Sequence, residues 1–229
     1  MPVEEYRRLV AHGENVQLPV GTVLYEPNQP IRNVYFMLDG IASIVTVMKD
    51  GDSIEVLIIG REGMVGLAAL ESASQTVPNL AFMQIAGHGI KFAAAIIRDE
   101  FKLGGSLQLQ LLRYFQFGFV QMSQNAACNR LHGLEERMGR WLLMVQDRLN
   151  SSSFQITHEF LAQMLGTRRS SVTLAAGVLQ RAGLIRYHRG EMQILDREEL
   201  QNAACECYAT IKDAWDLFME RPETVRTAH

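Results

Sequence analysis

The chain has 229 residues, 48% of them hydrophobic and 21% charged, so it can bury a core and is neither disordered nor fibrous. With a net charge of −3 it carries no overall attraction for nucleic acid, and its longest charge-free stretch, Ser72 to Ile90, is broken by Gln75, Pro78, Asn79 and Gln84 and cannot span a membrane. The start, Met1-Pro-Val-Glu-Glu-Tyr-Arg-Arg, has no apolar run of a secretory signal, and three cysteines, at 128, 205 and 207, cannot all pair, which together predict a soluble cytoplasmic protein.

A short helix with one polar face is expected over roughly residues 3–11. From 16 to 98 short apolar runs alternate with turn residues: Val20–Tyr25, Val34–Leu38, Ile41–Val47 and Ile54–Ile59. Asp39-Gly40 and Asp50-Gly51 fall between such runs and predict tight two-residue hairpins in which both central residues take positive φ. Strands at this spacing predict a small all-β roll or barrel.

After Gly104-Gly105 the pattern becomes helical. Leu112, Phe115, Phe119, Met122 and Ala126 recur at alternating spacings of three and four, a heptad seam. A second apolar line, Phe117, Val120, Cys128 and Leu131, lies on another face. Two stripes call for two partners, of which the simplest second one is the same helix of a twin subunit; a helix buried within one monomeric core is the alternative.

Further along, Glu135–Leu149 reads as an amphipathic helix and Asn150–Phe154 as a loop. Thr157 is placed to cap a helix over His158–Leu165, Gly166 breaks it, and helical period resumes over Arg168–Arg181 with Gly183 as its stop. Leu184 to Leu195 alternates around Gly190 as a hairpin. The expected class is α+β, with an N-terminal β roll over 1–105, a dimerisation helix over 106–134, and a winged helix-turn-helix over 135–229.

Helix, tight turn, helix and hairpin is the order of a winged helix-turn-helix, whose second helix lays its first turn in the major groove. Here that turn is Thr167-Arg168-Arg169-Ser170-Ser171-Val172-Thr173. Its two guanidinium forks suit guanine and its hydroxyls suit phosphate oxygens, so Thr167, Arg168, Arg169, Ser170, Ser171 and Thr173 are candidate DNA contacts. Arg186, His188 and Arg189 would be wing contacts, or the residues of a plain exposed hairpin. Charge distribution points the same way: Arg130 to Arg197 holds ten arginines against six acids. Ordinary ion pairs on a helical surface would produce the same excess.

These residues carry a resemblance. Ile156 to Thr173, then Leu179-Gln-Arg-Ala-Gly-Leu-Ile185, closely resemble the helix-turn-helix signature of the cAMP receptor protein/FNR family of bacterial transcription regulators, and the order of units resembles it over essentially the whole chain. The resemblance implies sequence-specific binding of double-stranded DNA by a homodimer on an inverted repeat, and RNA polymerase as a partner if the protein activates. It matches Arg169 to the family's base-reading arginine, with Ser170 where an acidic reader usually stands and Leu174 where a basic one does. Gly21, Tyr35, Gly40 and Gly60 to Gly66 resemble the family's cyclic-nucleotide-binding roll, a jelly roll. That places an effector pocket at Val65, Gly66, Leu67, Asn79, Leu80 and Ala81. The family's ribose-binding glutamate is Leu67 here, its phosphate-binding Arg-Ser/Thr-Ala is Asn79-Leu80-Ala81, and no Arg or Lys occurs between Arg61 and Lys91. An unneutralised phosphate is heavily penalised, so no tight cAMP binding is expected.

Other chemistry is sparse. An FNR-type iron–sulfur cluster needs four thiolates; Cys205 and Cys207 lack Cys-x-x-Cys spacing, Cys128 reads as a small core residue, and His88 between two glycines reads as surface. No His, Cys and carboxylate group has the spacing of a metal site, so no metal is expected and the cofactor or effector is left open. Without a Walker, nucleophile-elbow or zincin motif the chain is not read as an enzyme. The alternative function is a winged-helix ligand- or protein-interaction module without DNA readout.

Overall fold

The computed structural model describes residues 2–72 and 76–220, so residues 221–229 of the expected third unit lie outside the described residues. Helix α1 (Val3–Val10) leads into strands β1 (Glu14–Leu18), β2 (Val23–Tyr25), β3 (Asn33–Met37), β4 (Ile41–Val47), β5 (Ser53–Ile59) and β6 (Met64–Val65). A 3₁₀ turn (Leu67–Leu70) precedes β7 (Asn79–Ile85) and β8 (Gly87–Ala93). Then come helices α2 (Ala94–Lys102), α3 (Ser106–Leu131) and α4 (Leu134–Leu149), strand β9 (Ser153–Gln155), and helices α5 (His158–Met164) and α6 (Arg169–Arg181). Strands β10 (Ile185–His188) and β11 (Glu191–Ile194) and helices α7 (Arg197–Ala203) and α8 (Cys207–Met219) complete the chain.

Eight strands make the roll from two antiparallel sheets, ordered β1-β8-β3-β6 and β2-β7-β4-β5. Strand β4 is buried through five consecutive residues, Ile41 to Val45, because both of its faces are covered; such a strand reads as a continuous apolar run rather than an alternation.

Two of the expected tight hairpins are corrected. Asp39-Gly40 joins β3 to β4, which belong to different sheets, so it is a corner between sheets. Gly40 is required there: its φ is +71°, and a Cβ would lie 2.8 Å from the Ala86 carbonyl oxygen. Asp50-Gly51 does close the β4–β5 hairpin, but Met48 N–H bonds the Asp52 carbonyl at 2.7 Å, so the loop is three residues long. Only Gly51 takes positive φ, +92°, which fits a three-residue turn with a bulge. The two-residue type occurs instead in the wing, where Arg189 (φ +50°) and Gly190 (φ +87°) are both left-handed.

Helix α3 buries Leu107, Leu111, Tyr114, Phe117, Gln121, Asn125 and Cys128 within its own chain. The second apolar line packs in part within the chain: Phe117 stacks on Phe218 of α8 at 5.8 Å and meets Trp215 edge-on at 5.9 Å, while Leu131 of the same line stays exposed. Arg113 secures the far end of α8 by donating to the carbonyls of Leu217, Phe218 and Glu220, where a cation complements the helix dipole.

The roll, α3, α4 and α8 meet at a buried ion pair. Arg148 of α4 donates through Nε to Glu62, on the β5–β6 loop, at 2.9 Å, and both side chains are almost wholly buried (1% and 0% exposed). The remaining guanidinium donors go to the Met144 carbonyl and to Gln121 of α3, and the ring of Trp215 covers the cation at 4.7 Å. Gly60 N–H donates to the Glu62 carboxylate. Nearby, Asn125 and Gln121 donate to the carbonyls of Val56 and Ile58 on the edge strand β5, which removes the exposed edge that would otherwise template pairing. Glu55 on β5 accepts from Trp141 Nε1 of α4 at 2.8 Å. Burial pushes its carboxyl up to about 7 against the pull of its bonds to Ser43 and Trp141.

Because removing one member of a buried pair strands the other charge, Glu62→Gln is expected to cost about 3–5 kcal/mol in urea unfolding, and the double variant with Arg148→Met to recover much of it. A loss below about 1 kcal/mol for Glu62→Gln would show that the pair does not hold the units together.

Candidate functional site

Helices α5 and α6 are set by local signals. Thr157 Oγ1 accepts from the Phe160 N–H at 3.1 Å and caps α5. Gly166, at φ +59°, turns the chain, and a Cβ there would meet Ile54 Cδ1 at 2.5 Å. Helix α6 buries Val172, Ala175, Ala176 and Leu179. It ends in a Schellman arrangement, with Leu184 N–H on the Leu179 carbonyl and Gly183 N–H on that of Gln180.

With that face inward, the first turn of α6 points outward. Arg168, Arg169 and Ser170 are exposed, and Thr167 and Ser171 are half-buried. Arg168 stands at the N-cap without a side-chain cap bond, so the first amides of α6 are open to an anion. Arg169 has one loose ion pair, to Glu159 at 4.0 Å.

Thr173 departs from its expected role. Its hydroxyl donates to the Arg169 carbonyl and faces His158 Nδ1 at 3.0 Å, so it braces α6 on α5 rather than standing free for phosphate. His158 in turn stacks on Tyr187 of the wing, with ring centroids 4.0 Å apart. Leu174, 72% exposed, adds an apolar side chain to the outward face. Arg186, His188 and Arg189 are all exposed on the wing. The arginine excess divides: Arg130, Arg168, Arg169, Arg181, Arg186 and Arg189 are exposed, whereas Arg137, Arg140, Arg148 and Arg197 are buried or half-buried and bonded inside the fold.

The first turn of α6 borders a cavity of 1070 Å³ whose opposite wall is the β4–β5 hairpin, through Met48, Asp52 and Ile54. Gln163 Nε2 bonds Ser53 Oγ across this junction at 2.8 Å.

Leu112, Phe115, Phe119, Met122 and Ala126 form a continuous exposed line on α3. Phe119 is 60% and Phe115 55% exposed, large apolar areas for a surface helix. Beneath this line a cavity of 570 Å³ lies between the roll and α3. Of the residues assigned to an effector pocket by resemblance, Gly66, Leu67 and Asn79 line it. Val65, Leu80 and Ala81 do not, and Val65 and Ala81 are wholly buried core. Its other walls include Ile44, Leu57, Phe101, Tyr114 and the seam residues Leu112, Phe115 and Met122. Among the described residues lining it the only charge is Glu71.

His88 pairs with Asp39, Nδ1 to carboxylate 3.0 Å, on the surface. No His, Cys and carboxylate group has the spacing of a metal site along the chain, yet folding brings one such group together. Cys128, His132, Cys205 and Cys207, far apart in sequence, bring their ligand atoms within 4.8 Å of one another. The signal legible beforehand was Cys128-x-x-x-His132, one helical turn, facing a Cys-x-Cys.

Comparison with known proteins agrees with this geometry. The family model for a cyclic nucleotide-binding domain matches residues 15–80, and that for a Crp-like helix-turn-helix domain matches residues 136–203. No curated protein sequence is a significant match. Among solved structures, a CRP/FNR-family transcriptional regulator from Thermus thermophilus is 22% identical over 83% of this chain and 98% of its own, with a TM-score of 0.68. FixK2 from Bradyrhizobium japonicum is 14% identical over 84% and 98%, with a TM-score of 0.72. The c-di-GMP-responsive global regulator CLP of Xanthomonas campestris is 16% identical over 85% and 100%, with a TM-score of 0.67. At these identities the likeness is one of fold.

Burial, then the nearby Arg169 charge, holds the His158 imidazole below its ordinary pKa of 6.5. The unfolded chain then takes up that proton first, so the stability His158 contributes is present above pH 6.5 and is lost as pH falls through 6.5 toward the folded value. Thermal unfolding at pH 7.5 and 5.5 should show a larger drop in Tm on acidification for the parent than for His158→Gln; equal drops would contradict this.

Proposed function

We propose, for a chain that belongs to the cAMP receptor protein/FNR family of DNA-binding transcription regulators, that two copies pair along α3 and place two α6 helices in successive major grooves of an inverted-repeat operator. The observation that carries this is the exposed Arg168-Arg169 head of a helix whose opposite face is wholly packed. Arg169 reads a guanine edge by its fork; Arg168 and the hydroxyls of Thr167, Ser170 and Ser171 hold the flanking phosphates. Arg186, His188 and Arg189 follow the backbone on the wing side. Half-sites then lie about 34 Å apart, one helical turn.

The division into a roll (1–105), a dimerisation helix (106–134) and a DNA-binding unit (135–229) follows from this reading, with the qualification that α8 returns to pack on α3. The exposed seam Leu112, Phe115, Phe119, Met122 and Ala126 supports the dimer: left in water it is an apolar stripe, and a second copy covers it by two-fold symmetry. A cytoplasmic location and, where the protein activates, contact with RNA polymerase accompany the function. Among the described residues no helix is long and apolar enough to cross a membrane.

The 570 Å³ cavity supports an effector that is apolar rather than a cyclic nucleotide, since among the described residues no cation lines it to neutralise a phosphate. An occupant would touch Leu112, Phe115 and Met122 directly and bias how the two α3 helices pair, a population shift.

Arg169→Ala is expected to weaken binding to a selected operator by about 1–3 kcal/mol and relax preference at one base pair, and Phe119→Asp to sediment as a monomer with little operator affinity. Equal binding of parent and Arg169→Ala to all duplexes, or a parent that is monomeric and ignores DNA, would leave the interaction-module alternative. In calorimetry cAMP should show no binding at micromolar concentration; micromolar affinity would overturn the apolar-effector reading.

A further inference from the structure

We infer that Cys128, His132, Cys205 and Cys207 form a closed tetrahedral site for one zinc ion, which ties the end of the dimerisation helix to the C-terminal helices. The site is assembled from three places. Cys128 is on the last turns of α3, His132 begins the link from α3 to α4, and Cys205 and Cys207 span the start of α8. Cys128 and Cys205 sulfurs are 3.4 Å apart, His132 Nδ1 and the Cys207 sulfur 3.6 Å, and all four ligand atoms lie within 4.8 Å of one another. Zinc bonds of about 2.3 Å to sulfur and 2.0–2.1 Å to nitrogen, tetrahedrally arranged, put ligand atoms roughly 3.4–3.8 Å apart, so small adjustments close the sphere. An iron–sulfur cluster spreads its thiolates over several irons and needs a wider ring.

Further observations separate this from three cysteines packed as small apolar residues. The cysteines form a buried group apart from the main hydrophobic core. The His132 ring is oriented as a ligand: its Nδ1 faces the thiols while its Nε2 lies 3.1 Å from the Glu206 carboxylate. A carboxylate on the far nitrogen is the usual outer support of a zinc-bound imidazole. Three thiolates, one neutral imidazole and Zn²⁺ leave a net charge of −1, and two cations stand close enough to balance it: Arg140 acts on all three cysteines, and Arg137 on Cys128 and Cys205.

With four protein ligands the site has no open position and its role is structural. It clamps the α3–α4 link, the joint between the pairing helix and the DNA-binding unit, against the α7–α8 link. Loss of the metal or oxidation of the thiols would free that joint.

The test uses the full-length chain, purified and kept reduced, with metal content measured in the absence of DNA, so that its outcome is separate from that of the regulatory reading. Mass spectrometry of the metal should find about one zinc per chain. Cobalt(II) added to chelator-treated protein should give the thiolate charge-transfer and visible bands of a tetrahedral site, displaced by zinc. His132→Ala and Cys207→Ser should lower the stoichiometry, and Glu206→Gln, which leaves the ligands intact, should weaken zinc about 10–100-fold. Absence of bound metal and of cobalt bands in folded wild-type protein after reconstitution would overturn the site, as would an iron–sulfur absorption spectrum or a Cys128–Cys205 disulfide in the reduced preparation.

Discussion

The Arg148–Glu62 pair is the constraint on which the arrangement of the units rests. A buried ion pair is tolerated only when its remaining donors and acceptors are satisfied. Here satisfaction draws on every unit at once: a loop of the roll, Gln121 of the long helix, the α4 backbone and the Trp215 ring of the last helix. Moving any one element would leave a charge or an amide unpaired in a dry interior. Greasy contacts alone would tolerate small slides between helices; a forked cation with fixed directions does not.

That rigidity gives the first turn of α6 its position. Arg137 donates to the Leu165 carbonyl at the end of α5, and Gln163 bonds the β4–β5 hairpin, so the helix-turn-helix is referenced both to α4 and to the roll. The outward residues of α6 are therefore presented by a scaffold that the roll can influence. The cavity bordered by the seam residues lies between the same roll and α3. An occupant of that cavity and a duplex at α6 would act on one connected body through β5, which touches α3, α4 and α5.

The division of the arginines shows why charge counting is a weak guide. An excess of cations between Arg130 and Arg197 is consistent with a nucleic-acid surface, yet four of the ten are structural, each tied to a carbonyl, amide or carboxylate inside the fold. Thr173 makes the same point for hydroxyls: on a helix, Ser and Thr return to the carbonyl four residues back, and only the tertiary neighbour His158 reveals that this one is engaged.

What the sequence determined by itself was whatever depends on neighbours a few residues away. Helix periods, the Thr157 cap, the Gly183 stop, the wing turn at Gly190 and the exposed head of α6 are local, because backbone sterics and i, i+4 spacing act over single turns. Only the tertiary structure decided what depends on which elements meet. It made Asp39-Gly40 a corner rather than a hairpin, since the strands on either side belong to different sheets. It packed Phe117 against the rings of α8, and placed Val65 and Ala81 of the expected pocket in the core. It also gathered Cys128 and His132 with Cys205 and Cys207 across more than seventy residues of chain. Such meetings are settled by the summed burial and bonding of whole elements, and no short stretch of sequence carries that sum.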